Sequence, residues 1–254
     1  MKKTLLACAL LASLVGTSTQ AATLIGFKLG GDYWEADTSG TFAENDQPQQ
    51  GFNYSSSGQG SLWFAIELGI PFIPNVKIRE NRLDSNGNAT LSGNSSMNFA
   101  GTEFSSNILT YTDLDNTDFI FYYELLDNDM VALDLGAAYK KMNGSYTVSQ
   151  IFDDGTTGYN SEIDIDAGIV MAYADAEVGI PGLGLYGFAD VMIGIDESSV
   201  YDYSVGLGWQ FDGNVLDTKV RVGYRDFNFD VNDFDGVTAN TQFKGYFAGV
   251  ELVF

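Results

Sequence analysis

Apolar and polar residues alternate along most of the chain. In the stretch SLWFAIELGI (61–70), Leu62, Phe64, Ile66 and Leu68 fall on one side, opposite Ser61, Ala65 and Glu67. In 201–211, Tyr201, Tyr203, Val205, Leu207, Trp209 and Phe211 face away from Asp202, Ser204, Gly206, Gly208 and Gln210. The segments TDFIFYYELL (117–126) and MVALDLGAAY (130–139) repeat the pattern, with Glu124 and Asp134 on their polar sides. A repeat of two is that of a β-strand, whose successive side chains point to opposite faces; helical spacing fits none of these segments.

The alternation predicts ten strands, at about 22–35, 58–70, 75–84, 116–126, 130–141, 161–179, 185–195, 200–211, 215–229 and 240–254. An eight-stranded count is the alternative, because 75–84 is short and 161–179 is irregular. In the latter, Ile163, Ile165 and Ala167 share a parity that Asp175 and Glu177 later occupy, and a β-bulge near 167–172 is expected to re-aim the side chains.

Tight turns at 71–75, 127–129, 181–184 and 212–214 alternate with longer polar links at about 36–57, 84–115, 142–160 and 226–241, the link near 196–199 being a short exception. Short turns at one end and long loops at the other are the loop pattern of a transmembrane barrel. The expected fold class is therefore all-β, a transmembrane antiparallel up-and-down β-barrel of ten strands (alternative eight), with both ends on the short-turn, periplasmic side. Antiparallel pairing across the turns sets Glu67 beside Lys77, Asp202 beside Arg225, Gly206 beside Arg221 and, across the last long link, Lys219 beside Glu251. Opposite charges thus meet on the lumen face, a mildly favourable arrangement, and Glu67, Lys77, Asp202, Arg225, Lys219, Arg221 and Glu251 form the expected lumen charge network. Ten strands enclose a bore that side chains largely fill. A narrow channel is the alternative, where Gly206, Gly208, Gly223 and Gly249 would thin the filling.

Targeting residues locate such a barrel. Residues 1–21 read as a cleaved signal peptide: Lys2 and Lys3 precede an apolar core from Leu5 to Val15 too short to span a bilayer, with Ala21 at the cleavage point. Residues 22–254 then form a single barrel domain. The sole cysteine, Cys8, lies inside the leader rather than after its apolar core, which argues against lipidation, and the mature chain has no thiol chemistry. The chain has 34 acidic and 12 basic residues, two of the bases in the leader, so the mature protein carries a formal charge of −24. This sign disfavours nucleic acid as a partner. At 14% aromatic residues, with patterned apolar positions, the chain is not a disordered acidic polymer.

The chain ends KGYFAGVELVF, with Tyr246, Ala248, Val250, Leu252 and Phe254 on one face. Together with the alternation and the leader, this resembles the carboxy-terminal β-signal read by the barrel-assembly machinery, with Tyr246, Val250, Leu252 and Phe254 as its anchor positions. At the level of architecture the whole mature chain resembles a family of small Gram-negative outer-membrane β-barrels to which no activity is assigned. The resemblance implies an outer-membrane location, contact with outer-membrane lipid and lipopolysaccharide, and little chemistry. Trp209, Phe211, Tyr224, Tyr246 and Phe254 lie near predicted strand ends, where aromatic girdles belong.

Chemical motifs are sparse. The chain has no histidine, which removes the usual base of serine- and aspartate-assisted hydrolases near neutral pH; no enzyme activity and no cofactor is expected. GLGLYG (182–187) matches a dinucleotide fingerprint only formally, since it joins two strands rather than a strand and a helix. In RDFNFDVNDFDG (225–236), Asp226, Asn228 and Asp230 match the start of a calcium loop, but Val231 and Val237 stand where the motif needs glycine and glutamate. Asp226, Asp230, Asp233 and Asp235 remain weak metal candidates, and divalent cations bridging loop acids to lipopolysaccharide are an open reading. The expected role is structural or surface-interacting in the cell envelope, with a narrow passive, porin-like channel for small solutes as the alternative.

Overall fold

The computed structural model describes residues 25–254 except 71, 94, 129, 153, 214 and 215. The leader and its cleavage point lie outside the described residues. Seventeen strands are formed among the described residues, and the first half of the chain holds β1 (Ile25–Glu44), β2 (Gln50–Tyr54), β3 (Ser57–Leu68), β4 (Asn75–Arg82), β5 (Asp84–Thr90), β6 (Ser96–Phe99), β7 (Thr102–Ser105) and β8 (Asn107–Asp113). The second half holds β9 (Asn116–Asp127), β10 (Val131–Met142), β11 (Gly144–Ile151), β12 (Thr157–Ile165), β13 (Gly168–Gly179), β14 (Leu185–Gly194), β15 (Tyr201–Phe211), β16 (Asp217–Phe234) and β17 (Val237–Val253).

Ten of these strands close an antiparallel barrel in the order β1-β17-β16-β15-β14-β13-β10-β9-β4-β3, with β3 returning to β1. The ten-stranded expectation holds, and the eight-stranded alternative does not. The remaining long links are not loops. β2, β5, β8, β11 and β12 continue the sheet beyond the barrel rim in the order β12-β11-β8-β5-β2-β1, and β6 pairs with β7 as a separate hairpin. Several of their inward positions carry small or polar residues, among them Ser85, Ala89, Thr110 and Thr112, all buried, so hydropathy alternation is weak where strand geometry is regular.

β1 runs for 20 residues, about twice the 9–11 that cross a bilayer. Its lower half and upper half differ in polarity but not in parity. Going up β1, the outward residues Leu29 and Tyr33 are exposed hydrophobics, and Glu35 and Asp37 follow on the same side; the inward residues Lys28 and Asp32 give way to buried Trp34 and Ala36. β16 does the same: outward Val220, Val222 and Tyr224 are followed by Asp226 and Asn228, while inward Lys219, Arg221 and Arg225 are followed by Phe227, Phe229 and Val231. On β17 outward Tyr246 precedes Lys244, and on β10 outward Tyr139 precedes Lys141. Tyr33, Tyr139, Tyr224 and Tyr246 therefore mark the outer rim of the apolar band, where girdle aromatics sit, and Trp209, Phe211 and Phe254 mark its lower rim.

The inversion accounts for the absence of the expected bulge near 167–172. β13 pairs in unbroken register with both neighbours, and no bulge lies in 168–179. The segment is interrupted at Asp166 and Ala167, yet Ile165, Ile169, Met171, Tyr173, Asp175 and Glu177 all keep one inward parity. Apolar residues above and acids below on the same face mimic a shift of side chains. Register shifts in the barrel strands fall elsewhere, between Leu133 and Asp134 against β9 and between Val231 and Phe234 against β17.

Above the rim the inward residues make an apolar core. Phe42 stacks on Phe52 at 4.8 Å, meets Tyr146 at 4.4 Å and takes Phe99 edge-on at 5.4 Å. The β6–β7 hairpin turns Met97, Phe99 and Phe104 into this core, where Ile108, Val148, Phe229, Val237 and Phe243 are also buried. Each such side chain contributes about 1.5–3 kcal/mol of burial. Tyr146 Oη and Thr241 Oγ1 bond at 2.8 Å, and Tyr54 Oη reaches Thr112 Oγ1 at 3.1 Å. Burial pushes the Tyr54 phenol up to about 12 and the Tyr146 phenol higher still.

Candidate functional site in the lumen

The lumen of the barrel holds three tiers. Highest, just under the apolar core, is a layer of buried ions. Arg79 on β4 donates through Nε to Asp118 Oδ2 (2.9 Å), through Nη1 to Asp190 Oδ1 (3.1 Å) and through Nη2 to Asp202 Oδ2 (3.5 Å). Lys140 lies 2.8 Å from Asp118 Oδ1 and 3.4 Å from Asp202 Oδ2. Arg225 grips Asp202 with two bonds, Nε to Oδ1 at 2.9 Å and Nη2 to Oδ2 at 2.7 Å, and reaches Ser61 Oγ (2.7 Å) and Asn81 Oδ1 (2.9 Å). Three cations thus face Asp118, Asp190 and Asp202, all six groups nearly or fully buried. A buried ion survives only with such pairing, because taking one partner away strands the other in low dielectric.

The middle tier is aromatic and ionic together. The Arg221 guanidinium lies 4.5 Å from the Trp63 ring centre and 5.2 Å from that of Phe188, and bonds Asp32 Oδ2 at 2.9 Å. Trp63 Nε1 donates to Glu251 Oε2 at 3.0 Å. The wall glycines where a narrow channel was the alternative are covered by side chains: a Cβ at Gly206 would stand 2.9 Å from Phe188, one at Gly223 2.8 Å from Phe247, one at Gly208 against Tyr186, and one at Gly249 against Asp32. Glycine there makes room for the filling.

The lowest tier opens among the short turns as a cavity of about 870 Å³, lined among others by Glu124, Asp134, Asp175, Glu177 and Tyr186. Above it the space shrinks to a void of about 30 Å³ bounded by Trp63, Lys77, Tyr122, Tyr173 and Arg221, room for a water or so. Lys219 pairs with Glu177 at 2.6 Å and lies 4.0 Å from Glu251, and Lys28 pairs with Glu67.

The seven residues of the expected lumen charge network all face inward, but not in the expected pairs throughout. Lys219 is opposite Glu251, and Asp202 binds Arg225. Glu67 does not meet Lys77: Lys77 stands opposite Ala65 and lies 3.6 Å from Asp190. Likewise Arg221 is opposite Gly208 rather than Gly206. Both hairpins are offset by two residues from the expected register, which preserves every face while changing every neighbour. Lys140 and Asp118, central to the upper tier, were absent from the expected network; their signal was parity, Lys140 with Asp134 and Asp118 with Glu124.

The acids of 225–236 do not converge. Asp226 accepts bonds from Gln242 (2.9 Å) and Tyr203 (3.4 Å), Asp230 is opposite Asn240, Asp233 accepts from Asn45, and Asp235 accepts the Asp166 amide at 2.7 Å. Asp235 and Gly236, at φ 52° and 92°, form the tight turn between β16 and β17, the Asp-Gly pair favoured in two-residue hairpins. Among the described residues no cluster of three or more potential metal ligands occurs.

No family model and no curated protein matches the chain. Among solved structures, the outer membrane protease OmpT from Escherichia coli superposes with a TM-score of 0.51 at 12% identity, covering 93% of this chain and 100% of its own. Ail, the attachment invasion locus protein of Yersinia pestis, in complex with the heparin analogue sucrose octasulfate, gives 0.30 at 12% identity over 91% of this chain and 99% of its own. The Pseudomonas putida toluene transporter TodX gives 0.29 at 11% identity over 92% and 90%. At these identities the likeness concerns the fold alone: the chain closes an antiparallel β-barrel like that of OmpT.

Proposed function

We propose that this barrel is closed towards the outside and serves the envelope as a structural or surface-interacting protein rather than as a passive channel. The observation that carries this reading is the filled upper lumen: the Arg79–Lys140–Arg225 ion layer with the aromatic core stacked above it. A solute entering from the turn side would have to strip six paired ions and then part packed phenyl rings. The extended sheet above the rim supplies a folded, acid-faced body for contacts at the cell surface. The absence of histidine, and the engagement of the inner aspartates with arginine and lysine, support a role without hydrolysis.

The same reading assigns partners. Arg82, Lys141 and Lys244 lie outward at the tyrosine rim, at the height of lipopolysaccharide phosphates, and divalent cations would bridge those phosphates to the acids above. Tyr246, Val250, Leu252 and Phe254 present their side chains outward on β17, where the assembly machinery would read them. Planar-bilayer recording of the purified protein tests the main statement. Silent membranes at both polarities are expected; steady unitary currents would overturn closure and restore the porin-like reading.

A further inference from the structure

We infer that the turn-side cavity is a binding site for a small linear polyamine. The cavity is a blind cup, sealed above by the ion layer, and its volume of about 870 Å³ lies within the usual range for small-molecule sites. Its lining holds eight carboxylates and two lysines. Both lysines are already committed, Lys28 to Glu67 and Lys219 to Glu177. Glu124, Asp134 and Asp175 pair with no basic group among the described residues.

Register makes these three acids a ladder. Glu124 on β9 is opposite Asp134 on β10, and Asp134 is opposite Asp175 on β13. Like charges directly opposite one another destabilise a sheet, and adjacent strands stand about 4.8 Å apart. A chain of ammonium groups separated by short alkyl runs would neutralise such a ladder at several rungs, which a single ion could not do.

The second, independent observation is Tyr186. The residue is 5% exposed and lines the cavity, and its hydroxyl has no hydrogen-bond partner among the described residues. A buried hydroxyl left unpaired is costly, and it offers an acceptor to an incoming ammonium. The Tyr186 ring already faces the Lys219 ammonium at 5.1 Å, so its surface suits a cation. The compact charge of a divalent metal suits this wall less well, since the described residues bring no three ligands together.

The test is calorimetric titration of the whole folded barrel in zwitterionic detergent with spermidine, at physiological ionic strength. Saturable one-site binding is expected, weakened about tenfold or more by the double substitution Asp134→Asn/Asp175→Asn and about threefold by Tyr186→Phe. The control Asp230→Asn/Asp233→Asn, which removes acids above the rim, is expected to leave affinity unchanged. Heat-modifiable migration reports folding, and Tyr186→Phe, which removes one hydroxyl, decides the matter if the double variant does not fold. Absence of saturation, indifference to Tyr186→Phe, or equal weakening by the control would overturn the site. Tighter binding of magnesium, or of a tetralysine peptide, would overturn the ligand class in favour of a metal or a basic polypeptide.

Discussion

Below the tyrosine rim the strands carry charge inward and hydrocarbon outward; above it the same strands carry hydrocarbon inward and charge outward. The two halves share backbone, parity and register, as β16 demonstrates from Lys219 to Val231. What differs is the medium outside. In the bilayer the outer face must be apolar, so the polar residues have only the lumen, where they must neutralise one another. In water the outer face is free to be acidic, and the interior becomes an ordinary packed core. The comparison teaches that the two interiors fail differently: a paired ion is lost together with its partner's compensation, whereas a core side chain is lost with its own contacts.

The largest effect is expected from Arg79→Met. It leaves Asp118, Asp190 and Asp202 short of one shared cation, and destabilisation of about 3–5 kcal/mol is expected, read from urea unfolding in detergent by loss of the heat-modifiable band. A loss below about 1 kcal/mol would mean that the lower interior tolerates uncompensated charge, and the contrast between the halves would fall. Ile108→Ala, in the upper core, is expected to cost about 2–4 kcal/mol, and to act locally. Proteolysis should become faster in the 84–115 and 142–165 segments while the membrane-embedded band stays folded. Simultaneous loss of both halves would show that they form one cooperative unit.

The smallest effect has the opposite sign. Asp113, at the foot of β8, is held above its ordinary range by burial and by the neighbouring Asp115 and Asp84 carboxylates. A carboxyl raised in the folded state binds its proton more tightly there than in the unfolded chain, so stability falls as pH rises through the ordinary carboxylate range and stays lower above it. Asp113→Asn is therefore expected to raise the melting temperature slightly at neutral pH, with the gain vanishing below pH ~3, where the wild-type carboxyl is protonated in both states. A variant less stable than wild type at pH 7 would show that the bond Asp113 Oδ1 accepts from the Asp115 amide (2.9 Å) outweighs the crowding of carboxylates.

The lower half was legible in the sequence because the bilayer enforces contrast: Leu62, Phe64 and Ile66 against Ser61, Ala65 and Glu67 leave no doubt about period or face. The upper half was not, because inward Ser85, Gly87 and Ala89 are too small and too weakly apolar to stand out as a buried face beside Asp84, Asn86 and Asn88. The Asp-Gly turn at 235–236 was visible but lay inside a stretch that invited a calcium reading. Ion partners were only half legible. Parity chose the lumen for Glu67, Lys77, Asp202 and Arg225, but a turn's length in residues leaves its register open by two, enough to exchange Lys77's neighbour from Glu67 to Ala65. Lys28, which does take Glu67, comes from β1 across a hairpin whose register no charge pair had suggested.

The tyrosine rim has a consequence for where the molecule floats. Tyr33, Tyr139, Tyr224 and Tyr246 are each followed, two residues farther up, by a charged residue, so the draught of the barrel is written as the position of one dipeptide in each strand. Moving that switch by a single dipeptide throughout would raise or sink the whole body by most of the roughly 6.8 Å that two residues span, without altering one backbone hydrogen bond. Height above the lipid, and with it how far the acid-faced body stands clear of the bilayer surface, is thus adjustable by substitution alone, independently of the fold.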